Sequence, residues 1–362
     1  MMQAGIRSRF LEGINGLSMH LLEAGFEEPG RPLVLLLHGF PELAYSWRKI
    51  MLPLAAAGFH VAAPDQRGYG RTTGWDGAYD GDVDSFRLLN LVEDTLALLN
   101  ALGCRSAAAV IGHDFGSPVA AWCALTRPEV FRSVALMSAP FAGPPPPLSG
   151  AIDPVHRDLA ALERPRKHYH WYYSTREADA NMHRCPRGVH AFLRAYYHYK
   201  SADWERNQPF PLKAWSAAEL ARMPTYYIMD FGKGMAETVA PEMPSAAEIA
   251  ACRWLPEEEL RVYSAEYERT GFQGGLQWYR CRTEGRQSVE LSRFAGRTID
   301  VPACFIAGDS DWGPYQRPGD LQKMHSACTR LSGVHFVRGA GHWVQQEQPA
   351  AVSRLLLEFL QR

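Results

Sequence analysis

Short runs of leucine, valine and alanine punctuate this chain, at Leu33 to Leu37, Phe59 to Ala63, Ala107 to Ile111, Val134 to Met137, Ala303 to Ala307 and Val334 to Arg338. Each is the length of a strand, and such continuous apolar runs predict strands buried on both faces. Between them lie stretches such as "LLNLVEDTLALLNALG", whose apolar positions recur at helical spacing. The alternation implies an α/β fold with a mostly parallel, doubly covered sheet. The start, "MMQAGIRSRFLEGINGLSMHLLEAG", carries Arg, Glu and Gly where a leader needs an unbroken apolar core, so it reads as early strands of the mature protein.

The alternation stops after "LMSAPFAGPPPP" and resumes near "TIDVPACFIAGDSDWG". The proline-rich hinge opens a long segment dense in aromatics and arginine. Residues 144–297 are therefore read as an inserted, mainly helical cap, and 1–143 with 298–362 as the core. No internal repeat is apparent.

Composition narrows the class. The chain has 362 residues, 46% of them hydrophobic, and a formal net charge of −1. A large core is affordable, and no basic run points to nucleic acid. No apolar stretch approaches the roughly 18 residues that span a bilayer. The expected place is the cytoplasm. Seven cysteines without a CxxC spacing read as reduced thiols, and the His183/Cys185 pair as incidental rather than a zinc site. "DQRGYGRTTG" lacks the G-x-G-x-x-G spacing of a nucleotide loop and reads as an ordered surface loop, so no cofactor is implied. A homodimer through cap surfaces is compatible with these features, and none requires it.

Candidate chemistry begins at "AAAVIGHDFGSPVAAW". The apolar run breaks into Gly112-His113-Asp114-Phe115-Gly116 and a helical pattern follows at once. Such a strand-turn-helix elbow presents one side chain, here Asp114, at the carboxyl edge of the sheet. Alone, the residue reads equally well as a helix N-cap. Three other stretches decide between the two. His38-Gly39-Phe40-Pro41 ends an earlier run in a compact loop whose N–H groups can converge on one oxygen, with Phe40–Pro41 a candidate cis bond. His342 lies in the glycine-loosened "GAGHW" after the last run. Asp309 and Asp311 close the preceding run in "GDSDW", and either can orient the imidazole. The same Asp-x-Asp turn can bind calcium, but the further ligands of such a loop are missing. Nucleophile, acid and histidine in that chain order are those of an α/β-hydrolase.

Over nearly its whole length the chain resembles the α/β-hydrolase-fold epoxide hydrolases. "HGFPELAYSWR", "DQRGYGRT", "GHDFGS", "GFQGGLQWYR", "GDSDW" and "GAGHWVQQEQP" carry the resemblance. It implies Asp114 as nucleophile, His342 as base, Asp311 as the partner of the base, and two cap tyrosines that hold the epoxide oxygen. Tyr279 sits in the matching motif. For the first tyrosine, Tyr169 in "RKHYHWYYS" is preferred over Tyr226 in "TYYIMD" because it follows the hinge closely. His38, Pro41 and Trp278 go with these motifs as candidates to line the substrate pocket. The chain departs from the commonest pattern in Phe115, where Trp often follows the nucleophile, and in Ser117, where Gly is usual. The place after Met137, where some hydrolases keep the acid, reads Ser138-Ala139-Pro140 and offers no carboxylate.

A carboxylate nucleophile suits an epoxide, because it forms an ester that water can cleave, whereas serine would form an ether. The N–H groups of Phe40 and Phe115 are expected to hold the oxyanion of ester hydrolysis, each worth on the order of 3 kcal/mol, and the product is a vicinal diol. Three competing readings keep the same fold. A haloalkane or haloacid dehalogenase would share the Asp nucleophile but needs halide donors or an Arg where Phe40 and Phe115 stand. A small-ligand receptor would be expected to have lost one of the roles. A serine esterase is weaker, since Ser117 reads as an exposed residue in the first turn of the helix.

Overall fold

The computed structural model describes residues 3–146 and 153–361. Its strands in chain order are β1 (Arg7–Ile14), β2 (Leu17–Ala24), β3 (Leu33–Leu37), β4 (His60–Pro64), β5 (Ala107–His113), β6 (Val134–Met137), β7 (Arg166–His168), β8 (Ile228–Asp230), β9 (Ala303–Gly308) and β10 (Leu331–Val337). Eight of them form one sheet in the order β1-β2-β4-β3-β5-β6-β9-β10. From β4 to β10 the pairs are parallel; β1 and β2 extend that edge with antiparallel pairing. The periodicity did not mark β1 as an apolar run because it is an edge strand, alternating between partly buried and exposed residues.

The central strand β3 shows how its run of leucines is used. Leu33, Leu35 and Leu37 face one way, toward Leu91, Leu98 and Val119 of the helices Leu88–Ala101 and Gly116–Thr126. Val34 and Leu36 face the other way, toward Ile50, Leu54, Val352 and Leu356 of the helices Arg48–Ala56 and Pro349–Leu360. All five β3 residues are at most 1% exposed. Each side chain so buried contributes roughly 1.5–3 kcal/mol, so both faces of the strand drive the fold. The same double burial holds the carboxyl ends of β3, β5, β6 and β9 in one row.

After Met137 the chain leaves the sheet and returns at Ala303, and between them the described residues form helices and the antiparallel pair β7/β8. Pro147, the last proline of the expected hinge, and the five residues after it lie outside the described residues. No helix among the described residues is long and apolar enough to cross a membrane.

The loop "DQRGYG" corrects the sequence reading. Rather than lying on the surface it is interior, with Asp65 3% and Tyr69 1% exposed. The Asp65 carboxylate satisfies the loop from inside, accepting from the N–H groups of Ala44 (2.8 Å) and Arg71 (3.0 Å) and lying 2.7 Å from His20 Nδ1. The loop then seats the helix Gln273–Thr283, whose Trp278 indole donates to the Arg67 carbonyl at 2.9 Å.

Candidate active site

Asp114 follows β5 directly at φ +51, in the left-handed region that non-glycine residues visit at a cost and mostly at functional turns. The helix Gly116–Thr126 starts immediately after it. Glycine is required here: a Cβ on Gly112 would overlap the Gly116 carbonyl, and one on Gly39 would overlap the Asp114 side chain. The carboxylate does not cap the helix, which has Phe115 in that position with no side-chain cap. Instead Oδ1 accepts from Phe40 N–H at 2.9 Å, across the cis Phe40–Pro41 loop. Phe115 N–H begins the helix, among the N–H groups without an intrahelical acceptor.

His342 Nε2 lies 3.2 Å from Asp114 Oδ2, within ion-pair range but angled so that it makes no hydrogen bond. Its Nδ1 is 3.1 Å from Asp311 Oδ1. Asp309, the alternative, is exposed and bonds the Gly339 N–H at 3.1 Å, away from the imidazole. Burial pushes the Asp114 carboxyl up, but the facing His342, with Lys200 and His113, outweighs burial and holds it below the usual carboxylate range. Asp311 is lowered in the same way, burial being overcome by His342, Ser138 and the Gly313 N–H. Both carboxylates are ionised at neutral pH.

Several supports of this arrangement were not visible in the sequence. Ser138, 1% exposed at the end of β6, places its Oγ 2.6 Å from Asp311 Oδ2 and 2.9 Å from His342 Nδ1. Lys200 is 3% exposed, with its ammonium 5.0–5.8 Å from the ring centres of Tyr196, Tyr226, Tyr227 and Trp343, and its carbonyl accepts from His342 N–H at 2.9 Å. Glu347 accepts from the N–H groups of Ala202 (2.8 Å), Gly341 (2.9 Å) and Trp343 (2.9 Å), clamping the histidine loop from both sides. His113 spans Glu42 (2.5 Å) and the His342 carbonyl (2.7 Å). That carbonyl only accepts, so His113 Nε2 carries a proton. Glu42 raises the His113 pKa against burial, and the two form a buried ion pair beneath the site.

Tyr279 lies against the Phe40 loop and the elbow at once, its ring 5.5 Å from Phe40 and 5.1 Å from Phe115. Its hydroxyl makes no hydrogen bond to another described residue. Tyr169 is 5.9 Å from Tyr279, ring to ring, and its hydroxyl donates to Gln316 Oε1 at 3.0 Å. Burial first, and then the charge of Asp114, raises both phenols well above their ordinary pKa, so each remains a proton donor at neutral pH. Tyr226 is placed differently. Its hydroxyl is committed to Asn207 Oδ1 at 2.7 Å, and its pKa is raised first by burial and then by the charge of Asp311.

Other expected site residues have different jobs. His38 is 0% exposed, with Nδ1 2.8 Å from the Gly39 carbonyl and Nε2 accepting from Gln66 N–H at 3.1 Å. It holds the Gly39–Phe40 loop, and both its ring nitrogens are taken. Trp278 spends its N–H on Arg67 and wedges between Tyr69 and Phe115 with 1% of its surface exposed, so it backs Phe115 instead of lining a pocket. Pro41 is buried, its carbonyl accepting from the Tyr197 hydroxyl at 2.9 Å. Ser117, expected to be exposed, is fully buried and donates to the Ala139 carbonyl at 2.6 Å, tying the elbow helix to the end of β6.

A carboxylate on the elbow after β5, an acid after β9, a histidine after β10 and an N–H aimed at the elbow carboxylate make the arrangement of an α/β-hydrolase. A family model described as alpha/beta hydrolase fold matches residues 32–349. Epoxide hydrolase A of Mycobacterium tuberculosis is 33% identical over 98% of this chain and 98% of its own. The epoxide hydrolase of Caballeronia sordidicola is 31% identical over 96% and 91%. Among solved structures, an epoxide hydrolase from an endophytic Streptomyces superposes with a TM-score of 0.81 at 33% identity, covering 99% of this chain and 96% of that one. Potato epoxide hydrolase I gives 0.76 at 31%, covering 98% and 99%. The chain belongs to the α/β-hydrolase-fold epoxide hydrolases, a family of enzymes.

Proposed function

We propose that this enzyme converts epoxides to vicinal diols through an ester on Asp114, and that residues 144–297 form the cap that brings Tyr169 and Tyr279 to the core of 1–143 and 298–362. The observation that carries the reading is the division of labour between the two Asp114 oxygens. Oδ1 is held by Phe40 N–H, and Oδ2 accepts no hydrogen bond among the described residues and faces His342 Nε2. Oδ2 attacks an epoxide carbon and the C–O bond breaks. Tyr279 and Tyr169 donate to the departing oxygen, which leaves as a hydroxyl. Esterification removes the negative charge in front of Nε2. His342, oriented by Asp311, then takes a proton from water as the water oxygen attacks Asp114 Cγ. Negative charge collects on Oδ1, where Phe40 N–H is already placed and Phe115 N–H opens the helix. Collapse of this intermediate expels the diol oxygen, which takes the proton held by His342; the second proton of the attacking water leaves the new Cγ–OH and returns to the tyrosine that protonated the first oxygen, so that carboxylate, imidazole and both phenols are regenerated.

A single turnover in H₂¹⁸O with enzyme in excess tests this. Label is expected in the peptide carrying Asp114 and little in the diol. Label in the diol from that first turnover would mean direct attack of water on the epoxide and would overturn the reading.

A further inference from the structure

We propose that Ser138 is a positioning residue of the hydrolytic half-reaction, the hydroxyl that fixes which nitrogen of His342 carries the proton. This rests on the reading of Asp114 as nucleophile. Ser138 occupies the slot after β6 where some hydrolases keep their acid. It adopts φ +67, an unusual conformation for serine, and its N–H is tied to the Ile306 carbonyl at 3.0 Å, so the strand end is fixed from the β9 side.

The proton count is determinate. A serine hydroxyl has one hydrogen, and here it is donated to Asp311 Oδ2 at 2.6 Å. Toward His342 Nδ1, 2.9 Å away, the same oxygen can only accept. Asp311 Oδ1, the other neighbour of Nδ1 at 3.1 Å, is a carboxylate oxygen that also accepts from Gly313 N–H at 2.7 Å. Among the described residues Nδ1 thus faces two acceptors and no donor, so it holds a proton that forks between them. In the neutral ring the lone pair must then lie on Nε2, the nitrogen that faces Asp114. Without the hydroxyl, Asp311 Oδ2 becomes a buried acceptor with no partner, and the acid is held through one oxygen only. Ring opening does not use the Nε2 lone pair; removal of a proton from water does. Loss of Ser138 should therefore separate the two half-reactions.

The test follows both half-reactions by rapid mixing with an aryl epoxide, with mass spectrometry of the peptide carrying Asp114. Ser138→Gly suits the backbone angle, so the fold has no reason to change. Ester hydrolysis is expected to slow about tenfold or more, the scale of a lost hydrogen bond to a charged group, with ring opening within about twofold, so that the ester accumulates. Ser138→Asn tolerates the left-handed angle and can both donate to Oδ2 and accept from Nδ1, and it should restore most of the hydrolysis. Asp311→Asn combined with Ser138→Asp, which moves the acid to β6, should recover at least about tenfold over Asp311→Asn alone. Hydrolysis unchanged in Ser138→Gly, or both half-reactions falling together with the melting temperature, overturns the proposal. His342→Gln is the control for the underlying reading. No ester in that variant would mean that Asp114 is not the nucleophile, whereas ester there and none in Ser138→Gly counts against Ser138 alone.

Discussion

At the carboxyl edge of the sheet the candidate site residues are held by directed polar bonds, whereas the facing helices hold Tyr279 by ring packing. Asp114, Asp311 and His342 are fixed through Phe40 N–H, Gly313 N–H, the Ser138 hydroxyl and the Lys200 carbonyl. Tyr279 is fixed by the edges of Phe40, Phe115, Tyr169 and Tyr173, with ring centres 4.9–5.9 Å apart. Each aromatic pair adds only about 0.5–1.5 kcal/mol, and none dictates where a hydroxyl points. The difference matches the chemistry proposed for each side. Taking a proton from water requires one nitrogen in one protonation state, whereas an epoxide oxygen moves as its ring opens and is better met by a hydroxyl free to follow it.

The most severe way to break the comparison is to remove the group on which both sides act. Asp114→Ala is expected to lower kcat/KM by about 10⁴-fold or more, the scale of losing a nucleophile, with an unchanged circular dichroism spectrum. No epoxide adduct should appear by mass spectrometry; an active variant would refute the covalent route. His342→Gln comes next. Steady-state turnover should fall about 10³-fold while ester on Asp114 accumulates within one turnover, because the tyrosine side is untouched. Loss of ring opening in that variant would show that the two sides are not separable.

How much of this was legible follows from the same contrast. The sheet-edge residues could be read because each stands where an apolar run ends, and a buried parallel strand leaves no choice about which end carries the site. Asp311 over Asp309 was read from resemblance and not from pattern, since both stand at the end of one run. Ser138 was passed over for lack of a carboxylate; the part proposed for it lies in a hydroxyl between Asp311 and the His342 ring, which no periodicity reports. The buried "DQRGYG" loop misled because its polar residues are satisfied internally, by contacts far apart in sequence such as Arg67 with Asp94. In the helical segment the aromatic residues are too dense for spacing to say which ring meets Asp114. Only the fold shows that Tyr169 approaches Tyr279 and Tyr226 turns to Asn207.

Smaller effects sharpen the tyrosine side. Tyr279→Phe and Tyr169→Phe should each slow ring opening by about 10²-fold, with the double variant nearly unable to alkylate Asp114. The Tyr279 change should be the larger, because its hydroxyl has no competing partner among the described residues. Tyr226→Phe should leave ring opening within about threefold and lower stability by about 1 kcal/mol, since it leaves Asn207 Oδ1 without its donor. A crippled Tyr226→Phe beside a normal Tyr169→Phe would reverse the assignment.

The smallest effect concerns Gln316. The Tyr169 hydroxyl has one proton, and it is donated to Gln316 Oε1 at 3.0 Å. To reach an epoxide oxygen the hydroxyl must rotate away and give up a bond worth about 1 kcal/mol. Gln316→Leu removes that competitor while keeping a side chain of similar bulk. Ring opening should then accelerate by up to about fivefold, the kinetic equivalent of that bond. The gain must depend on the hydroxyl it releases, so Gln316→Leu added to Tyr169→Phe should change nothing further. Equal gains in both backgrounds would mean that Gln316 acts on the substrate directly. A loss of rate confined to the Tyr169 background would mean that Gln316 aims the hydroxyl, and that the tyrosine side is as directed as the sheet edge it faces.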